Sequence, residues 1–281
     1  MFKDYHASKD DLEAIEQALS FVIRPKMRFV FSDISKIKNT KIISYDCKHI
    51  YVWGVNPIKL EHKIPHNLTI PDEWQSGWWS NIVSKEIEKL LPNETKKKNR
   101  FDIPIISGGL LTPFISLQKT KDILENPYIT RESYLATIVH EFGHIYWDSF
   151  KLWWFSNKEK NINLLKAVKK LYQKKEVVPK IDLLFPQHRE VSELYAFCAE
   201  YYASTLFWPD HQKSLDRFAE KRLNKLINDE NKKDLGKEDS VLEPTRHPHD
   251  FAMVFGKLIL NKYPHSWPTL LTRVSGLSIQ L

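Results

Sequence analysis

The first half of this 281-residue chain mixes helical and strand-like patterns of apolar and polar positions. Ser8 is a suitable N-cap for a helix through about Val22, and Asp11 stands three residues later at the capping-box position. A further helix is expected from Pro71 to about residue 91. Three segments rich in β-branched and aromatic residues are typical of strands: 27–31, 41–45 and 50–55.

The second half is expected to begin with a β-hairpin and to continue mainly as helices. Gly108-Gly109 separates two strand-like segments, 101–107 and 113–117, and such a pair of glycines indicates a hairpin turn. The patterns that follow predict helices over about 130–149, 187–207, 211–228 and 251–263, another helix within 157–180 and a polar loop over 229–248. Strands first and helices later predict an α+β fold.

The predicted helix over about 130–149 contains a short motif that proposes a reaction. Residues 140–144 read H-E-F-G-H, which matches the pattern H-E-x-x-H. Thr130 is a suitable N-cap for this helix, and Glu132 lies in its first turn. With only three fixed positions the motif also occurs by chance, so an accidental match is the alternative.

The spacing of the motif suits a metal site. His140 and His144 are four residues apart and therefore share one face of a helix, where both imidazoles can bind one metal ion. Glu141 would then act as general base toward a metal-bound water.

A third protein ligand is expected, because catalytic zinc usually takes three and leaves one position for water. Trp147 and Phe150 occupy positions where the metzincin pattern requires glycine and histidine, so that class is excluded. No histidine lies between His144 and His188. A carboxylate from a second helix is the remaining choice.

Two glutamates on the predicted 187–207 helix compete for this role. Glu193 and Glu200 lie two turns apart on roughly the same face of a helix that is otherwise largely apolar. An ionised carboxylate in such surroundings is costly unless it is paired or bound to a metal. Glu193 is favoured and Glu200 is the main competitor, and the alternative is that both are solvated.

The two helices together resemble a known group of peptidases. The H-E-F-G-H run followed by Glu193-Leu194-Tyr195-Ala196, an E-x-x-A run, resembles the gluzincin metallopeptidases. Over about residues 130–205 the pairing is similar to the catalytic domains of anthrax lethal factor-like peptidases. The resemblance implies zinc bound by His140, His144 and Glu193, with Glu141 as the base. It also implies a zincin-like fold, with a mixed sheet and the motif helix in an upper lobe and a mainly helical lower lobe.

The sequence departs from that group in its assisting residues. The family's tyrosine upstream of the glutamate would fall near Pro186, and Phe197 stands where some gluzincins carry an acidic residue. Candidates for the missing transition-state or ligand-orienting groups are His188, Arg189, Glu200 and Asp148. Further candidates for the oxyanion are Tyr195, Tyr201, His247 and His249, although the two histidines fall in or beside a polar loop and are more simply exposed.

The composition limits the classes of protein to which the chain can belong. The chain is 42% hydrophobic and 12% aromatic with nine tryptophans, which argues against a disordered protein. The net charge is +7, but the lysines are spread along the chain, so no nucleic-acid site is expected. Cys47 and Cys198 do not form a disulfide framework, and Cys198 is expected to be a small buried side chain.

The amino terminus lacks the layout of a signal peptide, and no apolar stretch approaches the length of a membrane span, so a cytoplasmic location is expected. We expect an N-terminal α+β region over 1–100, as part of the catalytic fold, and a metallopeptidase core over 101–281.

The function these expectations support is zinc-dependent hydrolysis of peptide bonds by a metalloendopeptidase, with a peptide or protein as substrate. The alternative is a regulatory or toxin-like protein on the same scaffold, with a single partner substrate or without catalysis. A non-catalytic protein with an accidental motif is the third choice.

Overall fold

The structure is a computed structural model that describes residues 7–36, 41–45, 49–65, 130–150, 181–183, 188–231, 248–272 and 277–279. The chain divides into two compact units, Met1–Tyr146 and Trp147–Leu281. In the described ranges helices predominate and the strands form two small antiparallel sheets, so the expected α+β class is confirmed at this coarse level. The predicted helix from Pro71, the hairpin over 101–117 and the helix within 157–180 lie outside the described residues.

Helix α1, Lys9–Val22, begins as the sequence predicts. The backbone N–H of Asp11 donates to Oγ of Ser8 at 3.2 Å, and the backbone N–H of Ser8 donates to Oδ2 of Asp11 at 2.8 Å. Such a capping box satisfies two N–H groups that the first helical turn leaves without intrahelical partners. The helix turns Ala14, Ile15 and other apolar residues into the core of the first unit.

The predicted strand over 27–31 is wrong, because the chain there forms a 3-10 helix, Pro25–Phe29. Pro25 fixes its own φ and has no N–H to lose, which suits the first position of a helical turn. Met27, Val30 and Phe31 are buried, and this i, i+3, i+4 spacing is that of a helical turn rather than of a strand.

Three strands form the sheet of the first unit, in the order β1-β2-β3. Strands β1, Lys41–Tyr45, and β2, His49–Val55, are confirmed, and Trp53 on β2 donates from its indole to Oγ of Ser44 at 2.8 Å. Strand β3, Ile58–Pro65, was not predicted. It pairs with β2 alone among the described strands and exposes most of its length, so its polar residues conceal the strand pattern.

Helix α2, Arg131–Asp148, carries the H-E-F-G-H run. Thr130 caps it as predicted: its Oγ1 accepts from the backbone N–H of Ser133 at 3.1 Å, and the hydroxyl of Ser133 accepts from the N–H of Thr130 at 2.7 Å. In the first unit, Phe31 packs edge-on against Phe142 and Tyr146 of this helix, with ring centroids 5.0 and 5.2 Å apart. These contacts fix the motif-bearing part of α2 against Phe31, which follows the 3-10 segment.

Four helices form most of what is described of the second unit: α3, His188–Phe207; α4, Pro209–Asn231; α5, Pro248–Lys262; and α6, Trp267–Leu271. The first three confirm the helices predicted over 187–207, 211–228 and 251–263. The predicted polar loop over 229–248 is corrected at both ends, because α4 continues to Asn231 and α5 begins at Pro248. Helix α6 was not predicted.

Two short strands complete the second unit. β4, Ile181–Leu183, pairs antiparallel with β5, Leu277–Ile279. A strand of three residues is too short to show an alternating pattern of apolar and polar positions, so the sequence does not predict it. The last turn of α2 also belongs to this unit, where the indole of Trp147 donates to the carbonyl of Leu271 at 2.8 Å. None of the described helices combines the length and the apolar character that crossing a bilayer requires.

Candidate metal-ligand residues

The two motif histidines lie side by side on α2. The ring centroids of His140 and His144 are 4.9 Å apart with the rings edge to face. His140 is 8% exposed and His144 is half-buried. Their spacing of four residues and the regular helix put both imidazoles on one face, as the sequence predicts.

The sequence around the motif explains why α2 holds these rings in a largely apolar setting. Buried apolar side chains precede and follow His140, and they occupy most of the circumference of the helix: Tyr134, Leu135, Ala136, Ile138, Val139, Phe142, Ile145 and Tyr146. Glu141, next to His140 in the chain, is half-buried. In apolar surroundings few hydrogen-bond partners are available to a polar side chain, and these few partners limit its orientation.

Glu193 lies on α3 in the second unit and is 5% exposed. Its Oε2 is 2.9 Å from Nδ1 of His249, the second residue of α5. The carboxylate is thus buried, and an imidazole nitrogen lies close to one of its oxygens.

Glu200, the competing glutamate, is also buried and lies against a histidine. Its Oε1 is 2.9 Å from Nε2 of His211 on α4, and the side chains are 0% and 1% exposed. The solvated alternative is therefore wrong for Glu193 and for Glu200. Helix α3 presents two buried carboxylates, and each one contacts the imidazole of a different neighbouring helix.

The assisting residues proposed from sequence lie at several places. His188 and Arg189 stand in the first turn of α3, and Asp148 is the last residue of α2; their roles remain predictions. Tyr195 is fully buried, and its ring centroid lies 5.3 Å from that of Trp267. His247 lies outside the described residues.

Tyr201 belongs to a polar cluster that the sequence did not reveal. Its hydroxyl donates to Oδ1 of Asp216 at 2.9 Å and accepts from Nζ of Lys257 at 2.7 Å and from the amide of Gln212 at 2.6 Å. Lys257 also forms an ion pair with Asp216. These side chains come from α3, α4 and α5 and therefore link three helices. Burial alone would lower the pKa of Lys257, but its bonds to Asp216 and Tyr201 outweigh burial, and its pKa is raised.

Cys198 is fully buried on α3, which confirms the expectation of a small buried side chain. Burial raises the pKa of its thiol well above the ordinary value, because the thiolate would lose its hydration there. A protonated, inaccessible thiol suits packing rather than metal binding.

His249 is the residue whose place the sequence did not predict. The signal that could have found it is Pro248, since proline is favoured in the first turn of a helix. Reading Pro248 as a helix start would have moved His249 from a polar loop to the beginning of α5.

Comparison with known proteins yields no relatives: no protein family, no curated protein and no solved structure matches this chain. Function is therefore inferred from the residues themselves. Imidazole nitrogen and carboxylate oxygen, which His140, Glu193 and His249 offer, are donor types that Zn²⁺ takes in hydrolases.

Proposed function

We propose that the protein is a zinc-dependent metallopeptidase in which His140, His144 and Glu193 bind Zn²⁺ and Glu141 is the general base. The observation that carries the proposal is the pair of motif imidazoles on one face of α2, with ring centroids 4.9 Å apart and Glu141 next to His140 in the chain. The zincin-like arrangement of lobes is part of this proposal.

The surroundings of the proposed ligands support it. His140 and Glu193 are 8% and 5% exposed, and both lie on helices with many buried apolar residues. A buried carboxylate raises the free energy of the folded state unless a cation or strong donors offset its desolvation. A divalent ion is the strongest compensation that a protein can offer to such a group.

The chemistry assigns one task to each side chain. When bound, Zn²⁺ would supply a water of lowered pKa and polarise the scissile carbonyl. Glu141 would act as the general base, accepting a proton from the attacking water and delivering it to the leaving amine. His140 and His144 would hold the ion through ring nitrogens, since a neutral imidazole is the form that binds a metal. His188 or Arg189 is proposed to stabilise the oxyanion.

Zinc content and cleavage test the proposal together. We expect about one zinc per purified chain, a content near zero for His140→Ala, and cleavage of unfolded protein substrates or peptide libraries by the wild type. Glu141→Gln should retain zinc and lose cleavage by about 10²–10⁴-fold, since it removes the base and no ligand.

The outcomes separate the alternatives. Equal, negligible zinc in wild type and His140→Ala would show that the motif is accidental. Zinc that depends on His140, without cleavage of any peptide in a diverse library, would favour the regulatory or toxin-like alternative. Cleavage by Glu141→Gln at the wild-type rate would contradict the assignment of the base.

A further inference from the structure

The carboxylate of Glu193 meets a second possible metal ligand where helices α3 and α5 lie side by side. Its Oε2 is 2.9 Å from Nδ1 of His249, and the exposed fractions of the two side chains are 6% and 57%. The carboxylate is therefore almost completely inside the second unit, whereas the imidazole next to it reaches solvent.

This short contact is not a hydrogen bond. Oε2 of Glu193 is a buried atom that accepts no hydrogen bond from the described residues, although Glu193 and His249 both have other interactions. A carboxylate oxygen that has left water without gaining a donor raises the free energy of the folded state. A cation that binds this oxygen would offset that cost.

The two atoms are spaced much as neighbouring ligands of one zinc ion are. Zinc holds an imidazole nitrogen at about 2.0–2.1 Å and a carboxylate oxygen at about 2.0–2.2 Å, so two such atoms in a tetrahedral shell lie about 3.3 Å apart. The observed separation of 2.9 Å is slightly shorter, and a small rotation of the exposed ring of His249 would make up the difference.

The helix that carries His249 packs closely against α3. A Cβ on Gly256 of α5 would lie 2.8 Å from Cε1 of Phe197, whose side chain is 1% exposed. The two backbones can approach this closely only because position 256 has no side chain.

A second contact shows that the two helices run in the same direction. Nζ of Lys257 lies 2.7 Å from the hydroxyl of Tyr201, and these residues come eight positions after His249 and Glu193. Eight residues correspond to about 12 Å of helix, so the packing is continuous over that length. The positions of the carboxylate and the ring are thus set by helix packing, and a site that is formed in advance needs little rearrangement when its ligand binds.

We propose that His249 is a metal ligand: Nδ1 of its ring and Oε2 of Glu193 bind the same ion. The inference rests on the proposed function, which makes Glu193 a zinc ligand, and it adds a ligand outside the H-E-x-x-H and E-x-x-A runs. Because zinc in hydrolases can expand to five ligands, a fourth protein ligand still leaves room for the water of the proposed reaction.

Three substitutions at position 249 separate a ligand from a residue that only orients Glu193. Aspartate places a carboxylate oxygen, which is a zinc ligand, near the position of Nδ1. Asparagine places an amide there, which donates a hydrogen bond but is not a usual zinc ligand, and leucine offers neither. Zn²⁺ affinity is measured by competition with a chromophoric chelator, and the visible absorption of the Co²⁺-loaded protein reports the atoms around the ion.

We expect His249→Leu and His249→Asn to weaken Zn²⁺ binding by more than about 100-fold, beyond the range of about 10–100-fold that is typical of residues that orient a ligand. His249→Asp should bind Zn²⁺ within about tenfold of wild type and should change the Co²⁺ spectrum, because an oxygen replaces a nitrogen. His265→Leu removes an exposed histidine from the turn after α5 and should behave as wild type. Thermal unfolding of the metal-free proteins shows that the variants compared are folded.

The outcomes distinguish this inference from the proposed function. Wild-type affinity in His249→Leu would overturn the inference alone. Wild-type affinity in His249→Asn with a loss in His249→Asp would do the same, since that pattern assigns the ring to hydrogen bonding. Zinc binding that depends on His249 but is unchanged in His140→Ala would overturn the proposed function and keep the ligand. A wild type that binds no zinc would overturn both.

Discussion

At the scale of single residues, the role of each buried glutamate of α3 depends on the histidine that it contacts. Glu193 and Glu200 have the same side chain on the same helix, yet one lies against a histidine that is 57% exposed and the other against one that is 1% exposed. Glu200 and His211 therefore form a hydrogen-bonded pair closed to solvent, whereas the partner of Glu193 reaches solvent. This difference favours Glu193 for chemistry and Glu200 for structure.

His211→Ala tests the structural role of the closed pair. The substitution leaves the carboxylate of Glu200 buried without its imidazole, and the free energy of unfolding should fall by about 3 kcal/mol. Urea denaturation measures it. The double substitution Glu200→Leu with His211→Leu should restore much of the loss, because no buried charge then remains.

An exposed ion pair on the same helix, α4, is the matched control for that experiment. Lys213 and Asp210 are 2.9 Å apart, and their side chains are 69% and 87% exposed. Lys213→Ala should change stability little, since solvent screens such pairs. A loss in His211→Ala no larger than the loss in Lys213→Ala would show that the buried pair contributes no special stability.

At the scale of elements, the second unit is organised by how closely α3 and α5 approach. Apolar residues line the described part of both helices, and the contact is tightest where Gly256 meets Phe197. Ala196, Ala199 and Ala203 are buried on α3, and their small side chains leave room for another helix to pack close. Cys198 is part of that approach, with its Sγ 4.0 Å from the carbonyl of Gly256.

Gly256→Ala should lower the stability of the protein. Alanine is the better helix former by about 1 kcal/mol, but its Cβ would collide with the buried ring of Phe197, and overpacking typically costs about 1–3 kcal/mol. Chemical denaturation should show a net loss in the wild-type background and a smaller one with Phe197→Leu. Stabilisation by Gly256→Ala alone would contradict the close approach.

The polar cluster that links α3, α4 and α5 makes a prediction about pH. The pKa of Lys257 is raised in the folded state, so its contribution to stability is complete below the ordinary lysine value of 10.5 and is lost as the pH rises through the folded pKa. The groups that face the ammonium are Asp216 and the hydroxyl of Tyr201.

Unfolding measured between pH 7 and pH 11.5 checks this sign. The stability difference between wild type and Lys257→Met should be constant near neutrality and should shrink above about pH 10.5. Lys262→Met, at the exposed end of the same helix, is the control and should show no such change. A difference that grows with pH would contradict the raised pKa.

At the scale of the whole molecule, the chain forms two compact units, each with its own buried residues, and helix α2 contributes to both. Its motif lies in the first unit, while Glu193 lies in the second. Because the ligand set is a proposal, its test at this scale is made on the stability of the whole chain.

Zinc should stabilise the folded protein. At a free concentration 100 times the Kd, the gain is about 2.7 kcal/mol, seen as a rise in Tm by calorimetry. Glu141→Gln should keep this rise, whereas His140→Ala and Glu193→Gln should lose most of it. A rise of equal size in all of these proteins would show that zinc binds elsewhere.

Much of the local structure was predictable because caps and periods are local properties. The Ser8 and Thr130 caps, the helices around residues 140 and 200, and the shared face of His140 and His144 all follow from residues only a few positions apart. The segment 27–31 was wrongly predicted as a strand because a short, mainly apolar run fits the helical period and the strand period equally well. The pattern of buried residues in the structure decides between the two.

The sequence by itself determined the two imidazoles on one helical face, the glutamate beside them and the helix that bears Glu193, since backbone geometry sets those relations. Only the tertiary structure decided which imidazole each carboxylate of α3 meets. These pairings join helices through packing, and packing depends on the shapes of surfaces such as the one at Gly256 rather than on any spacing along the chain.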